Sequence, residues 1–122
     1  MRFAVLNFLV IALLGTFSGV VKGADIAVPG DYPTIRAAVM AARNGDSVLL
    51  DDGIYTGASN RNIEFQGKAI TVRSASGQPE NCVIDVEGVP NETRRAFWFN
   101  SGEGPSSVIR DVSIINGVAG EA

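Results

Sequence analysis

The chain contains no histidine and a single cysteine. Within these residues, that excludes a Ser-His-Asp triad, a His-ligated zinc and a Cys-His nucleophile. It also excludes an internal disulfide, so Cys82, beside Val83 and Ile84, is expected to be a buried thiol. Basic charge is short as well, with 10 Lys and Arg against 13 Asp and Glu. Without residues 1–23, which hold Arg2 and Lys22, the balance becomes 8 against 13, a formal charge of −5. Nucleic acid is therefore not an expected partner, and nothing in the sequence calls for a cofactor or a metal.

Long apolar runs are confined to the N-terminus. Arg2 followed by Phe3 to Leu14, apolar except for Asn7, has the layout of a secretory signal, with cleavage expected after Gly23. Read as an uncleaved span, Phe3 to Val21 is weakened by Asn7, Gly15, Ser18 and Gly19. The expectation is a secreted or cell-surface protein with no membrane association after cleavage. Residues 24–122 then form one small domain, short enough to need stabilisation beyond a modest core.

The stretch beginning at Asp31 reads DYPTIRAAVMAARNGDSVLLDDGIYTG. Pro33 suits a first helical position, and Ile35, Ala38, Val39 and Ala42 make one apolar face. Asn44-Gly45 is expected to end that helix, with Val48 to Leu50 following as a strand. Beyond it come brief apolar bursts: Ile63 to Phe65, Ile70 to Val72, Cys82 to Val86, Phe97 to Phe99, Val108 to Ile109 and Val112 to Ile115. Glycine and asparagine separate them, and no second helical pattern appears. Many short strands without intervening helices mean an all-β fold, either a sandwich of hairpins or a solenoid of parallel coils.

The solenoid is favoured by the spacing. The bursts at Leu49 and Val72 lie about two dozen residues apart, and QGKAITVRS is echoed by IRDVSIING about two such intervals later. Hairpin signals are poor, since Asn-Gly occurs only at 44–45 and 116–117, the latter with no strand expected after it. The link from Val86 to Ala96, with Pro90, Asn91, Arg94 and Arg95, reads as a surface loop. The helix is expected to cap the first coil through Ile35, Val39 and Ala42.

These segments resemble the N-terminal part of right-handed parallel β-helix proteins of the pectin-lyase-like superfamily. The motifs that carry the resemblance are Tyr32-Pro33-Thr34-Ile35 with Ala38-Val39, Asp46-Ser47-Val48, Gly53-Ile54-Tyr55 and Gly67-Lys68-Ala69-Ile70-Thr71. The opening is similar to pectin methylesterases and to secreted bacterial repeat proteins, with Asp52-Gly53 where the former usually carry Pro-Gly. The resemblance implies an all-β, right-handed parallel β-helix with a short N-terminal capping helix, incomplete at its C-terminal end. It also implies a carbohydrate-directed protein. In the methylesterases the catalytic glutamine and aspartates lie beyond the segment matched by Val108 to Asn116, so no catalytic residue is assigned here. The alternatives are a non-catalytic extracellular solenoid module and a truncated methylesterase or polysaccharide lyase. An open last coil around Ile114 and Ile115 would associate with the remainder of a longer β-helix or with itself.

Three residues are candidates for binding polysaccharide. Trp98 alternates with Phe97 and Phe99, so if the phenylalanines are core it faces outward as a platform for sugar rings, unless the 88–95 loop covers it. Arg73 and Arg110 follow the two echoed strands and would hold an acidic sugar by bidentate contact if they share a side. Asp51 and Asp52 are the adjacent carboxylate pair, but alternation sends them to opposite faces of a turn. Asp85 and Asp111 are further acidic candidates, and Asn91-Glu92-Thr93 matches a glycosylation sequon.

Overall fold

The computed structural model describes residues 23–119. The expected export signal, residues 1–23, lies outside them apart from Gly23. Among the described residues, nine short strands and one α-helix follow in order, with single 3-10 turns at Ala58–Asn60 and Pro79–Asn81: β1 (Asp25–Val28), α1 (Ile35–Ala41), β2 (Ser47–Leu50), β3 (Gly53–Tyr55), β4 (Ile63–Glu64), β5 (Thr71–Ser74), β6 (Cys82–Asp85), β7 (Phe97–Trp98), β8 (Val108–Arg110) and β9 (Ser113–Ile115). They form three sheets, ordered β1-β2-β5-β8, β3-β6-β9 and β4-β7, and every strand pairing within them is parallel. From β2 onward the chain visits the first, second and third sheets in that order, repeatedly. A strand-rich fold built on parallel sheets is thus present, and the hairpin sandwich is not.

Register turns alternation into columns. Val48 stands opposite Ile26 and Val72, and Val72 opposite Ile109; Val28, Leu50 and Ser74 form the next column. In the second sheet Tyr55, Ile84 and Ile114 are aligned, and in the third Ile63 faces Phe97. Because side chains alternate faces with period two, each column puts all its members on one side. Most of them are buried, with Phe65, Ile70 and Val86, in a core shared by the sheets. Ser74 enters that core without an orphaned hydroxyl: its Oγ accepts the Gly77 N–H at 3.1 Å and lies 3.1 Å from Ser76 Oγ. Cys82 is the expected buried free thiol.

The helix differs from its expected bounds at both ends. Thr34, not Pro33, starts it as the N-cap, its Oγ1 accepting from Ala37 N at 3.2 Å. At the other end Ala42 already has extended dihedrals, so Asn44-Gly45 does not terminate the helix. The reason is competition. Continuing the helix would bond Arg43 N–H to the Val39 carbonyl, but Asp46 Oδ2 takes that N–H at 2.8 Å and the Lys68 ammonium takes that carbonyl at 2.5 Å. Asn44-Gly45 instead forms the tip of a turn closed by Asp46 N–H to the Arg43 carbonyl, with Gly45 at φ 93°. Ile35, Ala38, Val39 and Ala42 are buried as expected, and α1 packs against β1, β2 and β4.

Other strands depart from the sequence pattern. β1 carries only two core residues, Ile26 and Val28, before Pro29. β3 lies in a segment that reads as a turn; Tyr55 anchors it, its hydroxyl 2.6 Å from the Asp51 carbonyl and 3.2 Å from that of Val28. The echo of β5 falls one passage later, with Thr71 opposite Val108, because that passage is lengthened by loops. Beyond Asn116-Gly117, Val118 forms an antiparallel bridge with Arg94. Among the described residues, no helix is long and apolar enough to cross a membrane.

Candidate functional site

The parallel pair β4-β7 places Glu64 directly opposite Trp98 on the outer face of the third sheet. Their neighbours Ile63, buried, and Phe97, half-buried, point the other way into the core. Phe97 meets Phe65 edge-on at 6.0 Å between centroids, and Phe99 reaches the same ring at 4.7 Å. Phe97 thus holds β7 against the core, whereas Phe99, expected to be core with it, touches Phe65 but stays 43% exposed, close to the 45% of Trp98.

The 86–96 loop does reach Trp98, through one side chain. The Arg95 guanidinium sits 4.8 Å from the centre of the indole ring, a cation–π contact over one face. Arg95 is fixed by its backbone: its N–H donates to Asn62 Oδ1 at 3.1 Å, and its carbonyl accepts Asn62 N–H at 2.6 Å. Asn62 adopts φ 52°, a left-handed conformation that asparagine tolerates. Asn62, Glu64, Thr93, Arg95 and Trp98 line a concavity of about 440 Å³. A second one, of about 350 Å³, shares Asn62 and Glu64 and continues to Arg36, Met40 and Gln66. Arg36 is held there by donating to the carbonyls of Arg61 at 2.6 Å and Asn62 at 3.4 Å. The two concavities meet at Glu64.

The face therefore offers an aromatic plane, one carboxylate, two guanidiniums and the side-chain amides of Asn62 and Gln66. Such a set suits a polar ligand with apolar C–H surfaces and many hydroxyls.

Arg73 and Arg110 do stand side by side, as register partners on β5 and β8. They belong to the first sheet, however, and do not join Trp98. Each already has a partner: Arg110 bridges Asp111 at 2.5 Å, and Arg73 donates to the Ser74 carbonyl at 3.1 Å. The acidic candidates are dispersed. Asp51 and Asp52 are exposed, and Asp52 accepts from Ser76 Oγ at 2.7 Å. Asp85 accepts from Asn116 Nδ2 at 3.0 Å and Glu87 N–H at 2.9 Å, which holds its carboxyl below the usual range. Among the described residues, no three His, Cys, Asp or Glu side chains gather as a metal site.

Sequence reasoning found Trp98 but missed Glu64, Asn62 and Arg95. Glu64 was readable in principle as the polar residue between Ile63 and Phe65. Pairing it with Trp98 required the register across a 34-residue separation (64 to 98). No protein-family model matches the chain, and no curated protein or solved structure matches it either.

Proposed function

We propose that the protein is an exported right-handed parallel β-helix of the pectin-lyase-like kind that binds polysaccharide without cleaving it. The repeated passage through three parallel sheets supports the β-helix reading, as does the motif resemblance of residues 31–71. The observation that carries the binding reading is the half-exposed Trp98, braced on one face by Arg95 and set beside Glu64. Sugar rings present C–H groups to such an aromatic plane, while Asn62, Gln66 and Thr93 supply hydrogen bonds to hydroxyls. Binding is favoured over cleavage because Glu64 is the lone carboxylate of the two concavities. Acid–base cleavage of a glycosidic bond uses a pair. Arg73 and Arg110 are a separate cationic strip that would add affinity for acidic sugars.

Titration with a panel of soluble neutral and acidic polysaccharides, followed by calorimetry, tests this reading. Wild type should bind at least one member, and Trp98→Ala should weaken that binding about tenfold or more. Arg73→Ala should weaken only the acidic members. Wild-type protein that binds none of the panel would remove the proposal.

A second reading, self-association, is favoured by the outermost strands. Phe97, Ile109 and Ile114, the last 47% exposed, line an apolar concavity of about 650 Å³. Sedimentation velocity across a concentration series separates the two, because self-association requires a mass that rises with concentration.

A further inference from the structure

The loop that carries Arg95 to Trp98 is tied down from both sides, and only one side belongs to the sheet. Asn62 holds Arg95 from β4, and Ile63 N–H donates to the Ala96 carbonyl at 2.9 Å. From the other side comes the segment after β9. Gly88 N–H donates to the Asn116 carbonyl at 2.8 Å, Arg94 N–H to that of Val118 at 2.9 Å, and Val118 N–H to that of Arg94 at 2.7 Å. Asn116 is itself aimed by its Nδ2 bond to Asp85. Within the loop, Arg94 donates to the Glu87 carbonyl at 2.6 Å and pairs with Glu92 at 2.7 Å, across a turn bridged by Val89 and Glu92. Residues 116–118 thus clamp the loop at Gly88 and Arg94, its two ends.

We infer that residues 116–118 act as a latch that positions Arg95 over Trp98, and so sets how much of the indole is open to ligand. The inference rests on the binding role proposed for Trp98, but it is tested without any polysaccharide. Gly88 is the point where the latch closes most tightly. A Cβ there would lie 2.4 Å from the Asn116 carbonyl oxygen and 2.4 Å from Val118 Cγ2, and both atoms belong to the latch. Gly88 does not occupy the left-handed region, so Gly88→Ala acts through this collision and not through backbone strain. With the latch displaced, Arg94 loses two backbone bonds and Arg95 keeps only its attachment to Asn62.

Trp98 is the only tryptophan, so its fluorescence reports this site alone. Acrylamide quenching is measured in the folded state for wild type, Arg95→Ala and Gly88→Ala. Arg95→Ala defines the uncovered ring, and Gly88→Ala should shift the quenching constant most of the way to that value. A merely structural role for the latch would lower the melting temperature and leave folded-state quenching where it was, which would overturn the inference. Should Gly88→Ala fail to fold, wild type supplies the test through amide hydrogen exchange in urea below the global transition. Exchange at Arg94 and Val118 should then rise in step with Trp98 quenching; quenching that changes only with global unfolding would equally overturn it. Failure of polysaccharide binding, by contrast, would leave these readings untouched and remove only the function proposed above.

Discussion

Asn60 is the residue whose loss should cost the fold most for the fewest atoms removed. It is 9% exposed, and its side chain makes two bonds: Oδ1 accepts Ile35 N–H at 2.8 Å, and Nδ2 donates to the Thr56 carbonyl at 2.7 Å. Ile35 N–H is one of the helix-start donors with no partner inside the helix. Asn60→Ala leaves that buried N–H without a partner, at about 1–3 kcal/mol, while the more exposed Thr56 carbonyl recovers water and costs less. A seven-residue helix has no reserve of its own, since isolated helices this short do not persist in water. The expected loss is about 2–4 kcal/mol, or roughly 10–25 °C in melting temperature for a domain of this size. Urea unfolding followed by circular dichroism measures it, read as a changed midpoint at constant slope. Met40→Ala, on the exposed side of the same helix, serves as control and should stay within about 0.5 kcal/mol of wild type. If Asn60→Ala matches that control, the helix is held by its apolar face alone and the capping argument fails.

The remaining predictions concern protons and the thiol. Asp46 has its carboxyl held below the usual range by the N–H groups of Arg43 and Ala24, and Glu103 by those of Ser101 and Gly67. Asp85 is held there first by Asn116 and then by Glu87 N–H. A lowered folded-state pKa means that the unfolded chain binds protons first. These groups therefore contribute stability above the unfolded value near 4, and it is lost as pH falls further. The urea midpoint should be flat from about pH 7 to 5 and then drop, with a shallower drop in Asp46→Asn; an equal slope in that variant would contradict the assignment. Burial, and then the Asp52 charge, pushes the Cys82 thiol up to about 11. A disulfide reagent at pH 8 should leave native Cys82 unmodified and react at once in denaturant, so rapid native labelling would refute its burial.

The strand positions were legible because each burst of two to four apolar residues has a single use in so short a segment. β2, β5, β6, β8 and β9 are read at close to their observed places. β3 was hidden because Gly53 and Ile54 face outward and only Tyr55 is buried, a pattern indistinguishable from a turn. The helix bounds are set partly by the nearby Thr34 and Asp46 and partly by Asn60 and Lys68, and the latter two lie too far along the chain for a local pattern to show them. The site shows the same division. Trp98 was visible through its alternation with two phenylalanines, but its partners depend on register and on a backbone bond from Asn62 to Arg95. Local pattern carries the columns of the core, and the polar ties between passages are beyond its reach.

Those polar ties have an energetic reason to sit where they do. The passage from Ser47 to Thr71 takes 24 residues and that from Thr71 to Val108 takes 37, yet both strand pairs keep register. Closing the longer passage costs little extra chain entropy, about 0.4 kcal/mol, because closure grows only with the logarithm of length. Ordering thirteen additional residues is the larger demand, on the order of 10–20 kcal/mol. Five of the thirteen fall between β6 and β7, where little of the stretch from 87 to 95 is buried, so apolar burial cannot offset their share of that demand. Glu87 accordingly bonds Gly57 N–H at 2.8 Å and bridges Arg61 at 3.1 Å. Asn62 takes Arg95, and the 116–118 segment takes Gly88 and Arg94. The extension that builds the Trp98 face is therefore held by hydrogen bonds to the passages on either side of it, and weakening those bonds should disturb the site before it disturbs the core.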